Sequence, residues 1–306
     1  MQGGLGRRHF IGGALASGVL GACPAMAAQA AARSSQALAA LEAEHGGRLG
    51  VWAWFADRPA FGWRADERFA FCSSFKLSLA AMVLNGAEAG KWSLSEKIAF
   101  SPKDLLPHSP VLEVHMAMTH GSLGHLTLGE LAEAAQKQSD NGATNLLLRR
   151  FGGPQRVTAF WRSLGDRVSR LDDYETSLNR VPPGTVRNTT SPRAMAGNVV
   201  ALMSRPGVMR ARSRQTLKHW MHDTETGLKR LRAGLPGDWW AGDKTGTGTP
   251  DDVPGCYVDL LWAEPKERGP LAIAAFYQPE KPTPNGDSGA ETLLARAAQA
   301  IVMQGK

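Results

Sequence analysis

The sequence predicts a mixed α/β fold: one sheet built from both chain ends, flanked by helices, with a helical segment inserted between. Three observations carry this. Strand-like runs lie early, "RLGVWAWFAD" at 48–57 and "FGWRADERFAF" at 61–71. Others lie late: "DWWAGDKTG", "CYVDLLWAE" and "LAIAAFYQ", between 238 and 278. From about 73 to 225 the apolar spacing turns helical, and strands at both ends with helices between require a single shared sheet. No internal repeat or low-complexity linker divides the 306 residues.

Residues 1–27 read as an export signal. Arg7 and Arg8 precede Phe10-Ile11, then comes an apolar run too Gly-rich and short to span a membrane. Ala25-Met26-Ala27 fits an A-x-A cleavage site, and the Arg-Arg start resembles a twin-arginine signal to the periplasm. Leu20-Gly21-Ala22-Cys23 is a rival lipoprotein box, disfavoured by Pro24 and the better cleavage site. Next, "SSQALAALEAEHGG" reads as a helix stopped by Gly46-Gly47. The first two strands flank an Asp57-Arg58-Pro59 turn. "LTLGELAEAAQKQ" opens with a Thr127-x-x-Glu130 capping box, and "RFGGPQRVTAFWRSLGD" reads as a loop leading into a helix. "LDDYETSLNRVPPGTVRNTTSP", 171–192, is too rich in Pro, Asn and Thr for a helix, and a loop that long is usually functional. A helix from about Ala290 closes the chain. The boundaries expected are 28–71 with 226–306 for the sheet part and 72–225 for the helical part.

Composition is ordinary for a globular chain, 43% hydrophobic and 21% charged. The net charge of +7 is scattered, with no block of like charges and no aromatic-interleaved basic stripe, which argues against nucleic acid as a partner. Of three cysteines, Cys72 and Cys256 remain after the signal. One disulfide is arithmetically open to them, but two buried thiols are the favoured state. No His/Cys/Asp set has zinc-ligand spacing.

"FCSSFKLSLA", 71–80, offers Cys72, Ser73 and Ser74 as nucleophiles. On a helix, residues three apart face each other, so Ser73 and Lys76 are neighbours and Ser74 points elsewhere. A desolvated lysine can help to activate a serine, and N–H groups at a helix start favour developing negative charge. One Ser-x-x-Lys is expected by chance in a chain of this length, roughly. Ser139-Asp140-Asn141 after the capped helix, and Lys244-Thr245-Gly246 in a strand-like run, are each expected by chance in roughly one chain in twenty. Gly246 and Gly248 let a ligand approach that strand's backbone.

The three motifs in this order resemble the penicillin-recognising serine acyl-transferases, and specifically the class A β-lactamases, over nearly the whole chain after the signal. The resemblance implies an antiparallel sheet with an all-helical insertion, a small-molecule β-lactam substrate, no cofactor or metal, no membrane span and a monomer. It implies Ser73 as nucleophile with Lys76 beside it. It makes Ser139 a proton relay to the leaving nitrogen, and Asn141 a holder of the substrate's side-chain amide. Lys244, Thr245 and Gly246 line the carboxylate end, and the N–H groups of Ser73 and Thr247 form an oxyanion hole. Glu175-x-x-Leu178-Asn179 resembles the loop holding the hydrolytic water, with Glu175 as base and Asn179 positioning that water. This separates a hydrolase from a penicillin-binding D,D-peptidase or a sensor that acylates once.

The chain departs from the family pattern at several places. Many relatives clamp the loop with an Arg two residues before the glutamate and a distant Asp; this chain has Asp173 and Asn188, so that ionic clamp cannot form and the loop must be held otherwise or is looser. His108 stands where relatives put an aromatic wall. The region where an Arg often follows Lys-Thr-Gly holds Val253 and Pro254, while Arg230 matches an upstream arginine that reaches the carboxylate in some relatives. The disulfide partner that some carbapenem-hydrolysing relatives pair with the cysteine before the nucleophile is Gly248 here, so that disulfide is absent.

Overall fold

A computed structural model describes residue 1 and residues 24–303; the expected signal features at Arg7, Arg8 and Cys23 lie outside the described residues. The chain runs α1 (Pro24–His45), β1 (Arg48–Phe55), β2 (Phe61–Trp63), β3 (Phe69–Ala70), α2 (Lys76–Glu88), β4 (Lys97–Phe100), α3 (Pro110–Met118) and β5 (Gly124–Thr127). It continues through α4 (Leu128–Lys137), α5 (Asn141–Arg150), α6 (Gln155–Leu164), β6 (Thr189–Thr190), α7 (Pro192–Ser204) and α8 (Ala211–His222). β7 (Trp240–Gly248), β8 (Cys256–Glu264), β9 (Leu271–Gln278) and α9 (Ala290–Met303) complete it.

The main sheet has five strands in the order β2-β1-β9-β8-β7, every pairing antiparallel. Sequence-distant strands meet at its centre: Gly50 of β1 stands opposite Phe276 of β9. Both faces are covered, so β8 and β9 are buried along nearly their whole length and read as continuous apolar runs. On one face, Leu49, Val51, Tyr257, Leu261 and Ile273 pack with Leu38 of α1 and Leu293, Leu294 and Ile301 of α9. On the other, Val258, Leu260, Trp262 and Phe276 join the core of the helical insertion. The alternation of β1 places Leu49, Val51 and Ala53 on the first face and Trp52 and Trp54 against the second.

Helix α2 is the axis of the insertion. Leu77, Leu79, Ala80, Ala81 and Val83 are all buried, as expected of a helix apolar all round and packed on every side, here by α4, α6 and α8. The capping box of α4 forms: Glu130 N–H donates to Thr127 Oγ1 (3.2 Å) and Thr127 N–H to Glu130 Oε2 (2.7 Å). Two features escape a periodicity reading. The run 61–71 splits: β2 stays in the main sheet, whereas β3 leaves it to pair with β6, Phe69 opposite Thr190. The helical insertion also carries a small ribbon, β4 with β5, whose four-residue strands are too short for a period to show.

Gly246 lets β7 lie against the start of α2. A Cβ there would fall 2.6 Å from Phe71 O and 2.9 Å from Ser74 N, both backbone atoms. Gly246→Ala must therefore separate strand and turn, and urea unfolding should show a loss of about 1–3 kcal/mol, the usual cost of overpacking. Unchanged stability would mean that the two backbones are not in contact.

Candidate active site

The chain turns sharply between β3 and α2. Cys72 adopts φ +47°, and Cys72–Phe75 form a 3₁₀ turn that runs into α2 at Lys76. Positive φ at a non-glycine residue costs roughly 1–2 kcal/mol, which the packing of Phe71 and Phe75 must offset. The turn separates the two serines. Ser74 is buried, its N–H and Oγ both donating to Phe71 O (3.1 and 2.7 Å). Ser73 stays partly exposed and points its Oγ to Glu175 Oε1, 3.0 Å away.

Lys76 reaches the same oxygen, Nζ to Oε1 3.0 Å, and both side chains are fully buried. The motif spacing therefore brings Ser73 and Lys76 together through the Glu175 carboxylate. The ammonium also donates to Ser139 O (2.8 Å) and Asn141 Oδ1 (2.6 Å), and lies 3.4 Å from Ser139 Oγ. Burial pushes the lysine below the ordinary range, and Glu175 partly opposes this. From the other side, Lys244 Nζ donates to Ser139 Oγ (3.1 Å). Burial, then the nearby Lys76 charge, push Lys244 down to about 7.

Ser139 is held at φ +56° between α4 and α5. Its neighbour Asp140 fixes this corner: one carboxylate oxygen caps α5 by accepting from Ala143 N–H (2.8 Å). The other accepts the N–H groups of Val111 and Leu112 in α3 (2.9 and 3.2 Å). The middle residue of the Ser-Asp-Asn triplet is thus architectural. His108, exposed and at φ +62°, ties to the same corner through Nε2 to Gln138 O (2.9 Å) and through its carbonyl, which accepts Asn141 N–H (3.0 Å).

The 171–192 loop carries Glu175. Asn179 Nδ2 donates to Glu175 Oε2 (2.9 Å), while its buried Oδ1 has no protein partner. Asn145 of α5 bonds the Glu175 backbone on both sides, Oδ1 accepting its N–H (3.0 Å) and Nδ2 donating to its carbonyl (2.8 Å). Spacing does not single out Asn145, although it lies four residues after Asn141 on one face of α5, a signal that could have found it.

The loop's neck is closed without an ion pair between positions 173 and 188. Asn188, at φ +52°, donates Nδ2 to Asp173 Oδ2 (2.7 Å), and its Oδ1 accepts the N–H groups of Asp172 and Asp173 (2.9 and 3.1 Å). Arg187 pairs with the other Asp173 oxygen (2.6 Å), and Arg170 with Asp172. An amide supplies both donor and acceptor, so the neck is hydrogen-bonded where an ion pair was expected to be missing.

At the far end of β7, Thr245 Oγ1 meets Thr226 Oγ1 at 2.6 Å, a partner that no motif suggested. Arg230 donates to Thr247 Oγ1 (2.6 Å), Gly246 O (3.0 Å) and Val258 O (2.8 Å), which sets its guanidinium beside the Lys-Thr-Gly strand. Cys72 and Cys256 are both buried and free, and burial pushes both thiols up. A Cβ at Gly248 would lie 2.9 Å from Cys72 Sγ, so that position does face the cysteine.

Asn188→Ala removes three hydrogen bonds at the neck and leaves the Asp172 and Asp173 amides without their acceptor. Hydrogen exchange at 172–179 should accelerate at least tenfold, with stability falling by about 1–3 kcal/mol for the unmade bonds. Unchanged exchange would show that the neck is held elsewhere.

The chain is similar to known proteins over most of its length. The family model described as "Beta-lactamase enzyme family" matches residues 33–304. The chain is 39% identical to Beta-lactamase CTX-M-25 of Escherichia coli over 266 residues, 86% of each chain. It is 37% identical to the carbapenem-hydrolyzing beta-lactamase KPC of Klebsiella oxytoca over 276 residues, 89% of this chain and 88% of that one. Among solved structures, the class A beta-lactamase of the last common ancestor of Gram-negative bacteria superposes with a TM-score of 0.81 at 42% identity, covering 89% of this chain and 99% of that one. A beta lactamase from Burkholderia vietnamiensis also superposes at 0.81, with 37% identity over 89% and 96%. With fold, motif order and whole-length similarity in agreement, the chain belongs to the class A serine β-lactamases.

Proposed function

We propose that the chain opens β-lactam rings through an acyl-enzyme on Ser73 that Glu175 then hydrolyses. One observation carries this: Ser73 Oγ and Lys76 Nζ converge on Glu175 Oε1, while Asn179 holds the other oxygen. Ser73 Oγ attacks the ring carbonyl carbon, and its proton passes to the Glu175–Lys76 pair. The N–H groups of Ser73 and Thr247 receive the oxyanion. As the carbon–nitrogen bond breaks, the nitrogen takes a proton from Ser139, which the Lys76–Ser139–Lys244 bridge resupplies. A water between Glu175 and the open acceptor Asn179 Oδ1 then attacks the ester; general base catalysis of this kind contributes about 10²–10⁴-fold. The carboxylate returns the proton to the departing Ser73 oxygen.

In this reading the substrate's carboxylate meets Lys244, Thr245 and Arg230-held Thr247 beside Gly246. Asn141 holds its side-chain amide and His108 walls the mouth. The cleft lies between the sheet part (28–71 and 226–306) and the helical part (72–225). The enzyme works as a monomer without cofactor. The 1–27 segment exports it to the periplasm; among the described residues no helix is long and apolar enough to cross a membrane.

Purified enzyme and a chromogenic cephalosporin test the reading. Many product molecules per enzyme are expected; a burst of one equivalent that stops would overturn it. Lys244 adds a pH signature. Its ammonium is present below about 7 and is lost above, so a charge-assisted contact to the substrate carboxylate, worth about 1.5–3 kcal/mol, fades as pH rises. The ratio kcat/KM for an anionic β-lactam should fall by roughly one order of magnitude or more above pH 7. Lys244→Arg, which keeps its charge, should flatten that limb. A limb unchanged by Lys244→Arg would assign it to another group.

A further inference from the structure

Beneath the carboxylate end lie two acids that the chemistry above does not use. Asp243 and Asp259 are both fully buried. Asp259 stands directly opposite Thr245 on the neighbouring strand, so Asp243, two residues before Thr245, is its diagonal neighbour on the same face. The Gly227 backbone covers the pair so closely that a Cβ there would overlap Asp243 Oδ2. Arg232 Nη2 lies 2.5 Å from Asp243 Oδ1. Asp259 Oδ2 accepts Leu231 N–H (3.0 Å), while Asp259 Oδ1 and Asp243 Oδ2 have no hydrogen-bond donor within the protein. Two carboxylates in a dry site thus face one guanidinium in contact. Burying a second uncompensated charge is costly, and retaining a proton avoids that cost.

The same pair anchors the turn that carries Arg230. Leu231 hangs on Asp259, Arg232 on Asp243, and between them Arg230 reaches Gly246 O, Val258 O and Thr247 Oγ1. We propose that Asp243 and Asp259 share one proton at neutral pH and act as positioning residues, pinning the 230–234 turn so that Arg230 and Thr247 face the substrate carboxylate. The positioning role rests on the β-lactam reading; the shared proton does not. Burial raises Asp259 to about 6, against the lowering effect of Arg230 and of its bond with Asp243, while burial and then the Asp259 charge raise Asp243 well above the ordinary carboxyl range, in agreement with the geometry.

Protein folding tests the proton. Raised acids bind in the folded state a proton that unfolded carboxyls, with pKa about 3.9, have released. Stability therefore falls as pH rises between those values. Asp259→Asn keeps an acceptor for Leu231, offers Asp243 a donor and leaves one carboxylate paired with Arg232. Between pH 5 and 6 the unfolding constant of the wild type should rise, relative to Asp259→Asn, by about tenfold or more per pH unit. A ratio independent of pH overturns the proposal. Arg232 and Arg230 from the turn and Lys244 from β7, the charged groups facing the pair, remain in both proteins, so the comparison isolates the pair. NMR of aspartate-¹³Cγ-labelled wild type gives a reading without mutation: at least one carboxyl signal should stay at its protonated position at pH 5.5, and uniform ionisation would overturn the claim. For positioning, Asp259→Ala should raise KM for an anionic β-lactam several-fold with kcat within twofold, and Asp259→Asn should restore KM. Unchanged KM in Asp259→Ala overturns that role. Absence of β-lactam turnover in the wild type would instead sink the functional reading and leave the proton test standing.

Discussion

The buried contact of Lys76 with Glu175 is the constraint on which the cleft depends. Two opposite charges taken wholly out of water are tolerable only with close pairing and every remaining donor and acceptor met. The ammonium meets this demand with Ser139 O and Asn141 Oδ1, and the carboxylate with Ser73 and Asn179. Those partners come from the turn before α2, the α4–α5 corner and the long loop. Burying one ion pair therefore fixes the relative placement of three chain segments, and Lys244 of β7 joins them through Ser139.

That demand explains why so much structure serves the loop. Glu175 must stay at hydrogen-bond distance from a partly exposed serine although its loop has little regular structure. Asn145 grips its backbone from α5, the Asn188–Asp173 bonds close the neck, and Arg180 ties the loop's descending arm to Asp252 in the β7–β8 connection (3.0 Å). The neck combines partly exposed Arg–Asp pairs, Arg187–Asp173 and Arg170–Asp172, with a buried amide. Salt screens exposed ion pairs, whereas Asn188 holds two backbone amides and a carboxylate from a buried position.

The proposed nucleophile was legible in the sequence because its motifs sit at fixed offsets: Ser73 and Lys76 three apart, and Ser139-Asp140-Asn141 and Lys244-Thr245-Gly246 as unbroken triplets. The sheet built from both ends was legible because β1, β8 and β9 are long enough to show their pattern. Other features depend on contacts between distant residues. β3 leaves the main sheet for β6 by tertiary pairing of two-residue strands, which carry no period. The choice of Ser73 over Ser74 rested on helix spacing, yet the turn is 3₁₀ and Ser74 is excluded by its own bonds to Phe71. Asp173 with Asn188 read as a missing clamp, since two residues named in isolation do not show that an amide can bond a carboxylate and two amides at once. Thr226, Asn145 and the Asp243–Asp259 pair lie in no motif; only the folded sheet and loop bring them to the site.

The assignment of separate roles to Ser73 and Glu175 is tested most directly by intact-mass measurement on Glu175→Ala mixed with a penicillin. The variant should gain one substrate mass, mapped by peptide analysis to Ser73, and keep it for many times the wild-type turnover time. Release of that adduct at the wild-type rate, or its location on another residue, would contradict the account.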